Sequence, residues 1–257
     1  MKYIKIIAVI FIFSLVYLIS TRNDLPIDST DKYLTQEKTG NRVIKKDVVL
    51  NKTKKKVIHK KLKKDFENEV YKILQPLNNN DLEFAWEDEY GCWNRKECNY
   101  NWLNARTLEE AIWMRNNGYP TVSMLRLIND DRYKDELAEL TRRKFPAALA
   151  VATISAMEQG NFKEGFNLAL SNVAHSNNSQ IYPHYLLGEA LLANDMKPLA
   201  ISQFYIAGIL GDPLAQGRAM SLSSDIPVAT TALNSAHQYI SRVFGTEVPN
   251  DPRPDGG

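Results

Sequence analysis

The chain has 257 residues, of which 44% are hydrophobic and 24% charged, a composition that suits one or two globular domains. Its net charge of +2 hides two unlike parts, because residues 1–64 hold 16 Lys/Arg against 5 Asp/Glu, whereas residues 65–257 are acidic overall. Domains that bind nucleic acid present a basic face, so the acidic body argues against specific nucleic-acid binding.

The N-terminal segment predicts membrane targeting. Lys2 and Lys5 precede an uncharged, mostly aliphatic run that ends before Arg22, and with its flanks this run approaches the ~20 apolar residues of a membrane helix. No small-residue cleavage triplet follows it, so residues 1–21 favour a signal anchor over a cleaved signal peptide. The two lysines favour a cytoplasmic N-terminus. We therefore expect a single-pass inner-membrane protein with a periplasmic body, or a periplasmic or secreted protein if the signal is cleaved.

Residues 22–64 predict a basic, disordered tether, because they lack a sustained apolar period. Ten lysines lie between Lys45 and Lys64. Such a stretch suits contact with anionic lipid or cell-wall polymer, and it also suits a solvated linker that holds the body off the membrane. No aromatic or Arg residues interleave with the lysines, so sequence-specific nucleic-acid recognition has little support.

Cys92 and Cys98 are the two cysteines of the chain. In an exported protein, a pair this close predicts a disulfide that pins a short turn. Five residues separate them, which excludes a C-x-x-C redox motif, and a structural zinc site would need four ligands.

The rest of the chain predicts an all-α body. Thr107 and Glu110 form a predicted capping box, in which the threonine hydroxyl accepts from the backbone while the glutamate reaches back. Residues 65–145 predict short helices, residues 146–245 predict helical repeats, and residues 246–257 predict a disordered tail. Helices are predicted from Thr107 to Gly118 and over about 121–128, 131–144, 145–159, 162–175, 181–193, 197–210 and 227–244, with a further helix after Pro213.

Two turns in the second half of the body indicate a repeat. Gly160-Asn161-Phe162-Lys163 aligns with Asn194-Asp195-Met196-Lys197, which places Asn161 and Asp195 34 positions apart. That spacing is the tetratricopeptide period. A single helix pair cannot bury its own apolar face, so pairs stack, and the spacing predicts a short α-solenoid of antiparallel helix pairs.

The same region resembles a known family. Tyr205-Ile-Ala207-Gly-Ile-Leu-Gly211-Asp-Pro-Leu-Ala215 is similar to the end of a Sel1-like repeat, and Leu187-Gly188-Glu-Ala190 with Ala193-Asn-Asp195 resembles its first helix and turn. The resemblance covers about residues 146–222. It implies a scaffold or adaptor that binds a protein partner.

In tetratricopeptide-like proteins the first helix of each pair usually lines the binding groove. Tyr182, Tyr185 and Glu189 share one face of such a helix and are candidate contacts for a peptide. The alternative is that the tyrosines pack between helix pairs.

Catalytic and metal-binding motifs are missing from the sequence, so we predict no catalytic residue, cofactor or metal site. Glu83, Glu87, Asp88 and Glu89 cluster around Trp86, and we interpret them as a solvated acidic loop rather than a glycosidase-like carboxylate pair.

The expected function is therefore a membrane-tethered, exported scaffold or adaptor that binds a protein partner in the bacterial envelope. Alternatives are an envelope hydrolase or cell-wall-modifying accessory enzyme, and a wall- or lipid-binding protein that acts through its basic tether.

Overall fold

The computed structural model describes residues 69–91 and 104–254. The predicted signal segment, the tether and both cysteines lie outside these ranges. Within them every regular element is a helix or a 3-10 turn, which confirms the all-α prediction. The described helices include none that is both long and apolar enough to cross a membrane.

Residues 69–73 are helical and precede ten helices that we number in chain order. Two 3-10 turns, Leu127–Asn129 and Asp131–Tyr133, separate the third helix from the fourth. The helices are α1 (Asn79–Glu89), α2 (Leu108–Asn116), α3 (Val122–Arg126), α4 (Lys134–Arg142), α5 (Pro146–Glu158), α6 (Phe162–His175), α7 (Tyr182–Ala193), α8 (Lys197–Leu210), α9 (Pro213–Leu222) and α10 (Ile226–Phe244).

The start signals in the sequence explain where the helices begin. The first turns of α5, α7, α8, α9 and α10 each contain a proline, which fits there because the first N–H groups of a helix have no partner within it. Side chains of Thr107, Thr121 and Asp225 accept from the backbone of α2, α3 and α10. The bounds predicted for α6 and α8 are confirmed without change.

The predicted capping residues Thr107 and Glu110 both bond to the backbone at the start of α2. Thr107 Oγ1 accepts from the Glu110 N–H at 3.1 Å, as predicted. The Glu110 carboxylate reaches back, as predicted, and accepts from the Arg106 N–H at 2.6 Å, one residue before the Thr107 N–H that an ordinary capping box would use. Its other oxygen pairs with Arg253, so a tertiary contact helps to set where this carboxylate lies.

One geometry ends half of the numbered helices. The closing residue has a positive φ, and the N–H of the following residue donates to the carbonyl five positions earlier, which is the Schellman motif. Such an ending reverses the chain within two or three residues, so the next helix can pack directly against the last. The closing residues are Gly118, Lys144, Gly160, Asp195 and Gly211.

These turns correct the repeat alignment by one residue. Gly160 and Asp195 are the conformational equivalents, since both have positive φ, and they are 35 positions apart. Helices α6 and α8, each of 14 residues, begin two positions after them. The alignment made from sequence matched Gly160 with Asn194 and Asn161 with Asp195, whereas the backbone conformation matches Gly160 with Asp195.

Packing follows the chain order. Helix α5 packs on α6, α7 on α8, and α8 also on α9 and α10. The larger apolar core joins Trp113 of α2 to Tyr182 of α7, and a smaller one joins Leu137 of α4 to Val151 of α5. Both cores draw on residues from each side of position 145.

The turn geometry makes a paired prediction about two glycines whose Cβ positions are both open, with no atom within 4 Å. Gly160 has φ +75°, so Gly160→Ala should lower the free energy of unfolding by about 1 kcal/mol through backbone strain alone. Gly217 lies inside α9, where Gly217→Ala should raise it by up to about 1 kcal/mol. Urea denaturation of both full-length variants measures the two changes, and shifts of the same sign would contradict this account.

Candidate functional site

A cleft of about 330 Å³ is the candidate binding site in the described part of the chain. Six parts of the chain meet around it: the residues before α1, Tyr90 after α1, the end of α2 with its following loop, α3, the start of α5, and the α6–α7 connection. Its lining includes the apolar side chains Leu74, Met124, Phe145 and Ala150, the prolines Pro76, Pro120, Pro146 and Pro183, and a set of polar groups.

Neutral polar groups dominate the polar part of the lining. Four carboxamides lie there, from Gln75, Asn172, Asn177 and Gln180, and Ser176 adds a hydroxyl that donates to Asn172 Oδ1 at 2.9 Å. A side-chain amide carries both donors and an acceptor, so it can match the alternating N–H and C=O groups of a peptide backbone.

Arg115 is the one charged side chain among the described lining residues. Its Nη1 donates to the Leu77 carbonyl at 3.0 Å and to Asn79 Oδ1 at 2.7 Å, while Nε and Nη2 donate to Asn116 Oδ1 at 3.2 and 2.9 Å. All of these partners are neutral. The guanidinium is therefore held in place at the cleft without a carboxylate partner among the described residues.

Aromatic rings packed in tilted pairs form the wall behind the cleft. The ring of Tyr119 lies 4.8 Å from that of Tyr182 and 5.5 Å from that of Trp113, between centroids. Its hydroxyl donates to Asp212 Oδ2 at 2.5 Å, and Asp212 Oδ1 accepts from the Leu214 N–H at the start of α9. Burial, reinforced by the neighbouring carboxylate, raises the pKa of Tyr119, so the phenol stays protonated and keeps donating.

The disordered tail predicted for residues 246–257 is wrong for the part that the structure describes. The Asp251 N–H donates to the Leu210 carbonyl at 3.2 Å, and Trp113 Nε1 donates to the Asp251 carbonyl at 2.7 Å. Gly211 permits this crossing, because a Cβ there would lie 2.2 Å from the Asp251 oxygen. The tail has few apolar residues, so local composition predicted disorder, whereas backbone hydrogen bonds to distant residues order it.

Arg253 anchors this tail inside the body. It is 6% exposed, and its Nε donates to Glu110 Oε1 at 2.7 Å while Nη2 donates to the Asn104 carbonyl at 3.1 Å. Its guanidinium also lies 5.4 Å from the ring centroid of Trp113 and 5.7 Å from that of Tyr119. The ion pair compensates both buried charges and joins the C-terminal segment to the aromatic wall of the cleft.

The tyrosines proposed from sequence as groove contacts are buried instead. Tyr182 is 1% and Tyr185 3% exposed, so neither lines an open groove. Tyr185 packs on Phe204 of α8 and donates to Glu189 Oε1 at 2.8 Å, and Glu189 pairs with Arg218 at 3.2 Å. The three residues share a helix face, as their spacing predicted, but Phe204 of α8 covers Tyr185 and the ring of Tyr119 packs against Tyr182.

The acidic cluster lies on a helix rather than in the loop that we expected. Glu83, Glu87 and Asp88 are exposed on α1. Glu89 accepts from the Ser123 N–H at 3.0 Å and from the Ser123 hydroxyl, so it supports the start of α3. Within residues 69–91 and 104–254, no cluster of His, Cys, Asp and Glu side chains is placed to hold a metal ion.

His184 is a buried titratable residue next to the cleft-lining Pro183. Its Nδ1 lies 2.9 Å from Gln203 Oε1, and its Nε2 lies 3.4 Å from the Tyr239 hydroxyl. A neutral ring protonated on Nδ1 satisfies both contacts. Burial lowers the pKa of His184 from 6.5 to about 4, against a smaller opposing effect of Gln203.

Comparison of the chain with protein-family models, curated proteins and solved structures finds no match.

The buried ion pair predicts a large and coupled effect on stability. Arg253→Met should lower the free energy of unfolding by about 3–5 kcal/mol, because it leaves Glu110 buried without its counter-ion. Adding Glu110→Gln should recover part of that loss. Urea denaturation of the single and double variants measures the coupling, and Arg142→Gln, at an exposed arginine of α4, is the matched control. If the losses of unfolding free energy from the two single substitutions simply add in the double variant, the pairing is contradicted.

His184 predicts a pH dependence of stability. Because the pKa of this ring is about 4 in the folded chain, against 6.5 for an unperturbed histidine, the unfolded chain binds the extra proton, and stability falls as the pH drops from about 6.5 towards 4. At pH 5 this group should account for about 2 kcal/mol of the loss relative to pH 7. His184→Gln should remove that component, whereas His237→Gln, at an exposed position of α10, should keep it. Equal pH profiles for the two variants would overturn the assignment.

Proposed function

We propose that this protein is a membrane-tethered adaptor of the bacterial envelope that binds a segment of a partner protein in the cleft. In this proposal residues 1–21 anchor the chain, residues 22–64 space the body from the membrane, and the helical body recognises the partner. The observation that carries the proposal is the cleft lining, which combines four side-chain amides with apolar walls.

The chemistry of this lining suits a peptide better than a reaction. Carboxamides provide donors and acceptors for a peptide backbone, and the apolar walls can accept side chains. General acid–base or nucleophilic chemistry would need paired titratable groups within hydrogen-bond reach of each other. The single ionised group on the described lining, Arg115, is suited to binding rather than to proton transfer at neutral pH.

The Sel1-like and tetratricopeptide-like character of the body is part of the same proposal. Helices α5–α6 and α7–α8 would form two stacked repeat units, with α9 and α10 packed after them. The shared positive φ of Gly160 and Asp195 and the equal lengths of α6 and α8 support two repeated units, with a spacing of 35 in place of the 34-residue tetratricopeptide period. The cleft would then lie where the short helices before α5 meet the first repeat unit.

Site-specific photocrosslinking in native membranes tests the proposal. A photoreactive amino acid at Asn177, an exposed residue of the cleft lining, should give a reproducible adduct with one protein partner. The same probe at Gln238, exposed on α10 and outside the lining, should not give that adduct. No adduct at Asn177, or the same adducts from both positions, would count against the proposed function.

A further inference from the structure

The charge of Arg115 is the feature of the cleft that a neutral peptide would leave unused. A guanidinium has five N–H donors, and the Leu77 carbonyl, Asn79 and Asn116 occupy four of them. One N–H, on Nη2, has no acceptor among the described residues. The side chain is partly buried, so it is also removed in part from the water that would otherwise screen its charge.

The way in which Arg115 is held indicates a preorganised site. Its three partners come from the segment before α1, from the start of α1 and from the end of α2, and together they fix the plane of the guanidinium. Because all three are neutral oxygens, they orient the group without cancelling its charge. A fixed guanidinium loses little side-chain entropy when it binds a planar anion such as a carboxylate.

We propose that the cleft selects an extended segment of the partner that carries one acidic side chain, whose carboxylate pairs with Arg115. The inference rests on the proposed function and specifies its ligand. One acidic side chain in the ligand matches the one positive charge of the described lining, whose other polar groups are neutral. A carboxylate hydrogen bond to the guanidinium should strengthen binding by roughly 10-fold to 100-fold over an uncharged isostere.

An internal acidic residue fits the site better than a chain terminus. Amides lie on segments well separated in sequence, Gln75 before α1 and Asn177 with Gln180 between α6 and α7. Pro76 and Asn177 are both exposed, so the rim is open on the two segments. We expect a bound segment to make backbone hydrogen bonds with amides of both segments while one of its side chains reaches Arg115.

Selection from random peptide libraries with the full chain in detergent micelles tests this inference. One library displays peptides with their C-termini fused to the carrier, and a second displays them with free C-termini. Peptides enriched from the fused library should share one Asp or Glu among apolar residues. Arg142→Gln, which removes an exposed arginine outside the lining, should select the same peptides.

Two variants test whether the peptide preference depends on the charge of Arg115 in a chain that remains folded. Arg115→Gln should abolish the acidic preference and weaken the binding of a selected peptide at least about 10-fold. An Asp→Asn or Glu→Gln change in that peptide should weaken its binding to the wild-type chain by a similar factor. Gln180→Glu keeps every contact of Arg115 and adds a carboxylate to the lining, so it should suppress the same preference. Circular dichroism melting of each variant identifies any loss of folding.

The outcomes distinguish a failure of this inference from a failure of the proposed adaptor function. Three outcomes would overturn the role of Arg115 but leave the proposed adaptor function standing. These are enriched peptides without an acidic preference, enrichment from the free-terminus library alone, and an acidic preference that survives in both folded variants. If neither library yields a binder with the wild-type chain, both proposals fail.

Discussion

The buried pair between Arg253 and Glu110 is the constraint on which the described structure most depends. It joins the last described residues to the first turn of α2, across a sequence separation of 143. Its guanidinium lies near Trp113 and Tyr119, the rings that back the cleft. A charge at this depth is tolerated only with its partner and hydrogen bonds in place, so the tail and the wall are ordered together.

The cleft follows from how the chain turns. Schellman endings close α2, α4 and α5, and each brings the next segment back within a few residues. As a result, the start of α5 and the loop after α2 come together beside the α6–α7 connection. The site is thus built mainly from helix ends and connections, where amide side chains are common because they compete well for backbone hydrogen bonds. Its one charge belongs to a helix residue, Arg115, whose neutral partners leave that charge available to a ligand.

Helix positions were predictable to within a few residues, and two of them without error, because their signals are local. Prolines in the first turn, threonine and aspartate caps and a closing glycine act over four or five residues. Asp195 shows the limit of such reasoning, since a non-glycine residue with positive φ carries a weak sequence signal and displaced the repeat alignment by one position. No local sequence pattern predicted the cleft, because its residues come from segments spread between positions 74 and 183.

By itself the sequence determined the helical class of the body, the approximate helix bounds and the faces on which residues such as Tyr182 and Tyr185 lie, since these depend on spacing and capping along one helix. Only the tertiary structure decided that α8 covers Tyr185, that the acidic cluster lies on a helix bonded to Ser123, and that the polar tail is ordered. Which partner covers a face, and which distant group neutralises a buried charge, depends on contacts between different segments of the chain, which for Arg253 and Glu110 lie 143 positions apart. No local pattern encodes those contacts, and here they place Arg253 against Glu110 and shape the wall of the cleft.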